Sequence, residues 1–197
     1  MAVLIGWLAP LHAAARTLLV VGDSLSAAYG IDIGAGWVAQ LQQRLIRNGF
    51  DYTVVNASIS GDTSANGLAR LPGLLAEHQP RIVIIELGGN DGLRGLSLQE
   101  MQHNIKSMID KARLRGAKVL LLGIRLPPNY GKTYTERFHR VYETVADASK
   151  IALVPFILEG VATDRTLMQA DGLHPDAQAQ AKVLENVWVK LLPILRK

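Results

Sequence analysis

An α/β fold, with a five-stranded parallel sheet covered by helices on both faces, is predicted by three features of the chain. Five short apolar, β-branched runs recur along it, segments of helical period separate them, and glycines, prolines and polar residues gather where each run ends. The first run, Thr17–Val21, leads into Trp37–Asn48, where Val38, Leu41, Leu45 and Ile46 fall at helical spacing. After the second, Tyr52–Asn56, comes Thr63–His78, helical in composition but expected to kink or split at Pro72, whose ring removes a backbone donor. The third, Arg81–Leu87, precedes Leu98–Arg115, with Met101, Ile105, Met108, Ile109 and Ala112 on one stripe. Lys118–Ile124 is followed by the helix Tyr134–Ser149, and Ala152–Phe156 by the helix Asp176–Leu195. Strands alternating with helices imply parallel pairing through right-handed crossovers. Nothing divides the chain, so residues 16–197 are expected to form a single domain.

The 197 residues, 49% hydrophobic and 19% charged, are too apolar for a disordered chain and too mixed for a membrane bundle. With no cysteine, thiol nucleophiles, disulfides, iron–sulfur clusters and cysteine-ligated zinc are excluded, which leaves oxygen and nitrogen to do any chemistry. The net charge of +4 is dispersed. Its densest basic group, Lys111, Arg113, Arg115 and Lys118, straddles a helix end, where cations complement the macrodipole, and aromatics do not interleave with it. No nucleic-acid partner is expected. Residues 1–15 differ from the rest: Ala2–Leu11 is apolar apart from Gly6 and Pro10, and Ala13-Ala14-Ala15 suits a cleavage site. They are expected to be a signal peptide, although no Lys or Arg precedes the apolar stretch, and the protein to be periplasmic or secreted. No stretch reaches the ~18 apolar residues of a membrane span, so no transmembrane segment is expected.

In sheets of this kind ligands bind beyond the carboxyl ends of the strands. There the chain places Gly22-Asp23-Ser24-Leu25-Ser26, Ala57 to Asp62, Gly88-Gly89-Asn90-Asp91, Arg125 to Gly131 and Asp171-Gly172-Leu173-His174-Pro175. A serine hydroxyl becomes a useful nucleophile when an imidazole accepts its proton and a carboxylate orients that imidazole. Ser24, leaving the first strand after Gly22 and Asp23, is the candidate nucleophile; His174 is the candidate base and Asp171, three residues before it, its partner. Pro175 suits the first position of the following helix, which would set the His174 imidazole beside a positive helix end and help keep it neutral. Taken singly, Ser24 reads as a helix cap and Asp171 as a turn residue; their convergence with His174 at strand ends favours the catalytic reading. His12, His78, His103 and His139 lie in the leader or on helices, and Ser26, Ser58 and Ser60 are competing hydroxyls without such a setting. Donors for a developing oxyanion are available from the Ser24 and Gly61 N–H groups and from the Asn90 side chain.

Gly22-Asp23-Ser24-Leu25, Gly61, Gly88-Gly89-Asn90-Asp91 and Asp171-Gly172-Leu173-His174-Pro175 resemble, in order, the sequence blocks of the GDSL, or SGNH, hydrolases. Val54 to Ser64, Gly67 to Pro72, Glu86 to Gly95, Arg125-Leu126-Pro127 and Asn129-Tyr130-Gly131 extend the likeness, toward the bacterial esterases of that family, over nearly all of Thr17 to Pro175. The resemblance implies a flavodoxin-like three-layer α/β/α sandwich exported to the periplasm; the proposed chemistry requires no metal or cofactor, and the protein is expected to be a monomer. It implies arylesterase, thioesterase and lysophospholipase activity on small acyl esters, thioesters and lysophospholipids. It carries the nucleophile to Ser24, the base to His174, its partner to Asp171, and the oxyanion donors to Ser24, Gly61 and Asn90. It further implies that Gly92, Leu93, Arg94, Gly95, Leu96 and Ser97 form a movable segment against the acyl chain, with Leu93 and Leu96 supplying apolar contact.

Other readings remain at this stage. A carbohydrate O-acetylesterase on the same fold differs only in pocket shape, and a binding protein with a vestigial site is disfavoured by the complete set of five site residues. Gly34-Ala35-Gly36-Trp37-Val38-Ala39 matches a dinucleotide-binding fingerprint but lies a dozen residues beyond the first strand, and the second strand ends in Asn56 rather than an acid, so a helix start is the better reading. A metal site at Asp171, His174 and Asp176 would have few ligands and no supporting motif.

Overall fold

A computed structural model describes residues 16–196; the expected signal peptide lies outside the described residues. The strands are β1 (Arg16–Gly22), β2 (Tyr52–Asn56), β3 (Ile82–Glu86), β4 (Lys118–Leu122) and β5 (Ala152–Val154). The helices are α1 (Trp37–Arg47), α2 (Ser64–His78), α3 (Gly89–Leu93), α4 (Leu98–Leu114), α5 (Lys132–Ser149) and α6 (Gln180–Leu195). All strand pairs are parallel, in the order β2-β1-β3-β4-β5, with helices on both sides of the sheet as the alternation predicts. The centre of the sheet is nearly all apolar because both its faces are covered: Leu18 to Val21, Ile82 to Ile85 and Leu120 to Leu122 have no solvent exposure. One helical layer pairs α1 with α6, and in the other α4 packs between α2 and α5.

The chain reverses its direction of travel across the sheet between β1 and β3, where the register sets Gly22 beside Glu86. Crossovers leave such a reversal point on opposite faces, opening a crevice at the carboxyl ends of the two strands. Helix starts are locally encoded. The Thr63 hydroxyl accepts from Asn66 N–H at 3.3 Å to open α2, and the Ser97 hydroxyl accepts from Glu100 N–H at 3.2 Å to open α4. Ile33–Ala35 forms a 3-10 helix whose C-cap, Gly36, is also the N-cap of α1, and the Trp37 N–H donates to the Gln180 side chain at 3.0 Å, so this fingerprint is a helix start.

Several element ends shift by a residue or two from expectation, and three departures have a local cause. Helix α2 runs unbroken through Pro72: the proline is on the solvent face, where a freed carbonyl meets water, while buried Gly67, Leu71 and Leu75 hold the other face against the fold. Strand β5 ends at Val154, since Pro155 has no N–H to continue a ladder. Helix α6 begins at Gln180 rather than Asp176, and Asp176 instead accepts from Ala179 N–H at 3.0 Å in the preceding turn.

Two glycines of α2 make opposite predictions. A Cβ at Gly67 would lie 2.1 Å from Leu87 Cδ1 in the core, whereas one at Gly73 meets nothing within 4 Å. Gly67→Ala is expected to destabilise the fold by about 1–3 kcal/mol through overpacking, and Gly73→Ala to stabilise it by about 0.5–1 kcal/mol through helix propensity. Urea unfolding of the two variants beside wild type checks both signs.

Candidate active site

The turn after β1 carries Ser24, and a separate small hairpin brings His174 to it. Met168 and Pro175 pair as an antiparallel bridge, Gln169 N–H donates to His174 O at 2.8 Å, and Gly172 turns the tip at φ +65°. Asp171 organises that tip: its Oδ1 accepts from Leu173 N–H at 2.9 Å and His174 N–H at 3.0 Å. Gln169 fastens the hairpin to the neighbouring loop, its side-chain amide donating to Tyr29 O and Pro175 O. The Tyr29 ring lies over His174 with centroids 4.6 Å apart. Pro175 therefore belongs to a bridge and not to the first turn of a helix. The expected contribution of a helix dipole to His174 is absent, because α6 starts five residues further on.

His174 Nδ1 is 2.6 Å from Asp171 Oδ2, and its Nε2 is 2.8 Å from Ser24 Oγ. The partners decide the tautomer. An ionised carboxylate only accepts, so Nδ1 holds the proton and donates to Asp171, leaving Nε2 to accept from the serine hydroxyl. Partial burial acts to raise the Asp171 pKa, but the hydrogen bonds from the His174 side chain and from the Leu173 and His174 amides outweigh it and hold the carboxyl below its ordinary value.

Ser24 N–H and Gly61 N–H donate to no protein acceptor among the described residues. Gly61 has φ +86°, a conformation that favours glycine, and its carbonyl accepts from Arg94 Nη2 at 3.0 Å. Asn90 Nδ2 donates to Asp62 O at 3.0 Å and stands 3.3 Å from Asp23 Oδ2, so the amide is aimed by groups on two other loops. Arg70 ties those loops together, with Nε on Asp62 at 2.7 Å and its other nitrogens on Ala57 O and Gly22 O. Below them lies a buried acid pair. Glu86 Oε2 accepts from Asp23 N–H at 3.2 Å and from the Ser26 hydroxyl at 2.7 Å. Burial, with the Asp23 charge second, pushes the Glu86 carboxyl well above its ordinary range, and burial likewise raises Asp23 from 3.8 to about 6. Ser26, a competing hydroxyl in the sequence, is thereby spoken for by Glu86.

A cavity of about 220 Å³ opens beside Ser24, Asn90 and His174, with walls of Leu93, Ile124, Leu126, Pro127, Leu158 and Leu173. Of the segment expected to meet an acyl chain, only Leu93 lines it. Gly92 is buried against Phe138 and Leu126, Arg94 reaches Gly61, Gly95 closes the turn with φ +66°, Leu96 points to solvent at 44% exposure, and Ser97 caps α4. Tyr134 and Tyr130 hydroxyls donate to Gly92 O and Leu93 O, pinning that segment. His139 tucks its ring beneath the loop after β4 with Nδ1 3.3 Å from Ile124 O. Asp171, His174 and Asp176 do not gather as ligands: both His174 nitrogens are engaged and Asp176 caps a turn. Sequence reasoning missed Glu86, Arg70 and Gln169 as supports of the site. For Glu86 a signal existed, an acid ending an otherwise apolar strand; for Arg70 and Gln169 none did.

A hydroxyl, an imidazole and a carboxylate in line at the carboxyl edge of a doubly wound parallel sheet define the protein class as a serine hydrolase. Within that class the chain belongs to the GDSL-like lipase/acylhydrolase family, whose profile matches residues 20–182. It is 65% identical to Esterase TesA of Pseudomonas aeruginosa over 184 residues, which span 93% of this chain and 92% of that protein. It is 45% identical to Thioesterase 1/protease 1/lysophospholipase L1 of Escherichia coli K12 over 183 residues, 93% of this chain and 86% of that one. Among solved structures, the psychrotrophic esterase EstA from Pseudoalteromonas sp., inhibited by monoethylphosphonate, superposes with a TM-score of 0.87 at 37% identity, covering 92% of this chain and all of that one.

The acid pair makes stability depend on pH with a definite sign. Asp23 has a pKa of about 6 in the fold against an ordinary 3.8, so over that interval the folded protein binds more protons than the unfolded one. Its contribution is fully present below 3.8 and is lost as pH rises through about 6. Urea unfolding from about pH 4 to 7 is expected to show wild type losing stability relative to Asp23→Asn as pH rises.

Proposed function

We propose that the protein hydrolyses carboxylic esters and thioesters through an acyl-enzyme on Ser24. The supporting observation is the continuous relay from Asp171 through His174 to Ser24, at 2.6 and 2.8 Å. His174 Nε2 takes the Ser24 proton as Oγ attacks the carbonyl, and Asp171 stabilises the imidazolium that forms. The Ser24 and Gly61 N–H groups, which have no protein acceptor among the described residues, receive the oxyanion, and Asn90 Nδ2 joins them by turning one hydrogen from its long 3.3 Å contact with Asp23 to the substrate oxygen while the other stays on Asp62 O. His174 then gives its proton to the leaving group; in the second half of the cycle it takes a proton from the attacking water and passes it to Ser24 Oγ as the C–Oγ bond breaks and the free acid leaves.

Relatives named esterase, thioesterase and lysophospholipase point to aryl esters, acyl-CoA and lysophospholipids as substrates. The cavity agrees with this reading. Its walls are apolar apart from the reacting edge and Arg125, which suits an acyl chain and offers a sugar few hydrogen-bond partners, so the carbohydrate O-acetylesterase reading is less well supported. Among the described residues no helix is long and apolar enough to cross a membrane. Export through a leader at residues 1–15 and a monomeric state complete the proposal.

Reaction with an organophosphonate, followed by peptide mass spectrometry, is expected to label Ser24, and label on another serine would overturn the assignment. Ser24→Ala is expected to lower kcat by about four to six orders of magnitude, and Asn90→Ala by about 100- to 1000-fold, in assays with an aryl ester. Aryl esters should acylate the enzyme faster than alkyl esters of the same acid, since a phenolate leaves without needing the proton on His174. Equal single-turnover rates would contradict the proposed proton path.

A further inference from the structure

Glu86 does not touch the cavity, yet it holds the turn that carries Ser24. It ends the central strand with no solvent exposure, and its Oε2 accepts from the peptide N–H immediately before Ser24 and from the Ser26 hydroxyl two residues after it. Gly22 is part of the same arrangement, since a Cβ there would fall 2.8 Å from both Glu86 Oε2 and Ser26 Oγ. Asp23, at 2% exposure, accepts from Leu25 N–H and from the Asn90 amide, and its buried carboxyl is near enough to that of Glu86 for its charge to add to burial in pushing the Glu86 pKa up. Two carboxylates cannot donate to each other. Counted as ionised, Glu86 also leaves a buried oxygen, Oε1, without any partner. A buried unsatisfied group and two like charges in a dry site are both costly, and one proton removes both defects.

We propose that Asp23 and Glu86 share a single proton beneath the nucleophile, making Glu86 a positioning residue that, as a neutral carboxylic acid, fixes the Ser24 turn and, through Asp23, the Asn90 amide. Glu86 Oε1–H then donates to Asp23, whose carboxylate keeps the remaining charge and still accepts from Leu25 and Asn90. The surrounding groups agree with this placement of the proton. Tyr142 from α5 is a buried phenol held neutral and donating to Leu87 O, Asp91 from α3 is engaged with Ser64, Arg70 is committed to Asp62, and His174 lines the cavity together with Asp23, where Glu86 does not reach. Burial holds Glu86 protonated well past the ordinary carboxyl range, whereas Asp23, at about 6, gives up its proton first. The inference rests on Ser24 as the acylated serine, as proposed above.

Glu86→Gln tests it, because the glutamine carbonyl can accept from Asp23 N–H and Ser26 while its amide donates to Asp23. Glu86→Gln is expected to keep kcat on a soluble aryl ester close to wild type, while Glu86→Ala lowers it by about 10- to 100-fold with KM little changed. Infrared spectra of the whole protein at neutral to mildly alkaline pH should show a protonated-carboxyl band in wild type that is missing in Glu86→Gln. Absence of the band from wild type, its persistence in Glu86→Gln, a Glu86→Gln loss as deep as that of Glu86→Ala, or a wild-type kcat in Glu86→Ala would each overturn the proposal. Should Glu86→Ala not fold, the infrared comparison and Glu86→Gln still decide. A phosphonate adduct elsewhere than Ser24 would defeat the functional reading instead, and the infrared band would be unaffected by it.

Discussion

Register between β1 and β3 is the constraint on which the site depends. With Gly22 opposite Glu86, the two strands end level, and the turns that follow put Ser24 and Asn90 on the same rim of the sheet. Slipping either strand by one residue would turn its side chains to the opposite face, where they would meet differently shaped packing from the other helical layer, and would carry Glu86 away from the Asp23 N–H and Ser26 hydroxyl it accepts from. Sheet packing thus sets the distance between Ser24, the proposed nucleophile, and Asn90, the proposed oxyanion donor, before any polar contact is made.

The carboxyl groups around the nucleophile are placed in two different environments, with different consequences. Asp171 is partly exposed at the tip of a hairpin and surrounded by three N–H donors, so it stays charged and can stabilise an imidazolium. Asp23 and Glu86 sit in the core, where charge is disfavoured and hydrogen bonds serve to hold backbone. One acid faces the His174 ring, and the other two lie beneath the turn that carries Ser24. The hairpin also explains how His174 is held without a helix: the Met168–Pro175 bridge and the Gln169 amide supply the rigidity that a helix start would otherwise provide.

Much of this was legible in the chain. Strand positions followed from β-branched runs, and the helices α1 and α4 from their apolar stripes, because both report burial on one face through a local period. Ser24, His174 and Asp171 stood out because each follows a strand and because Asp171 lies three residues from His174, a spacing that a turn closes. Pro72 and Pro175 misled for the same reason: a proline reports what its own backbone disfavours, while the outcome rests on neighbours, here the buried face of α2 and the strand-like pairing with Met168. The Gly92–Ser97 segment read as a single loop against substrate, yet it divides into a short helix, a turn and a cap, with Leu93 alone on the cavity wall.

By itself the sequence determined the α/β alternation, the sheet edge where polar residues gather, and the three side chains now proposed to pass a proton, since all of these depend on residue type and short-range spacing. Only the tertiary structure decided that Glu86 grips the Ser24 turn, that Arg70 and Gln169 join separate loops, and which side chains wall the cavity. Those contacts link residues as far as 140 positions apart, and no local pattern encodes a hydrogen bond whose two ends meet only after the sheet has formed.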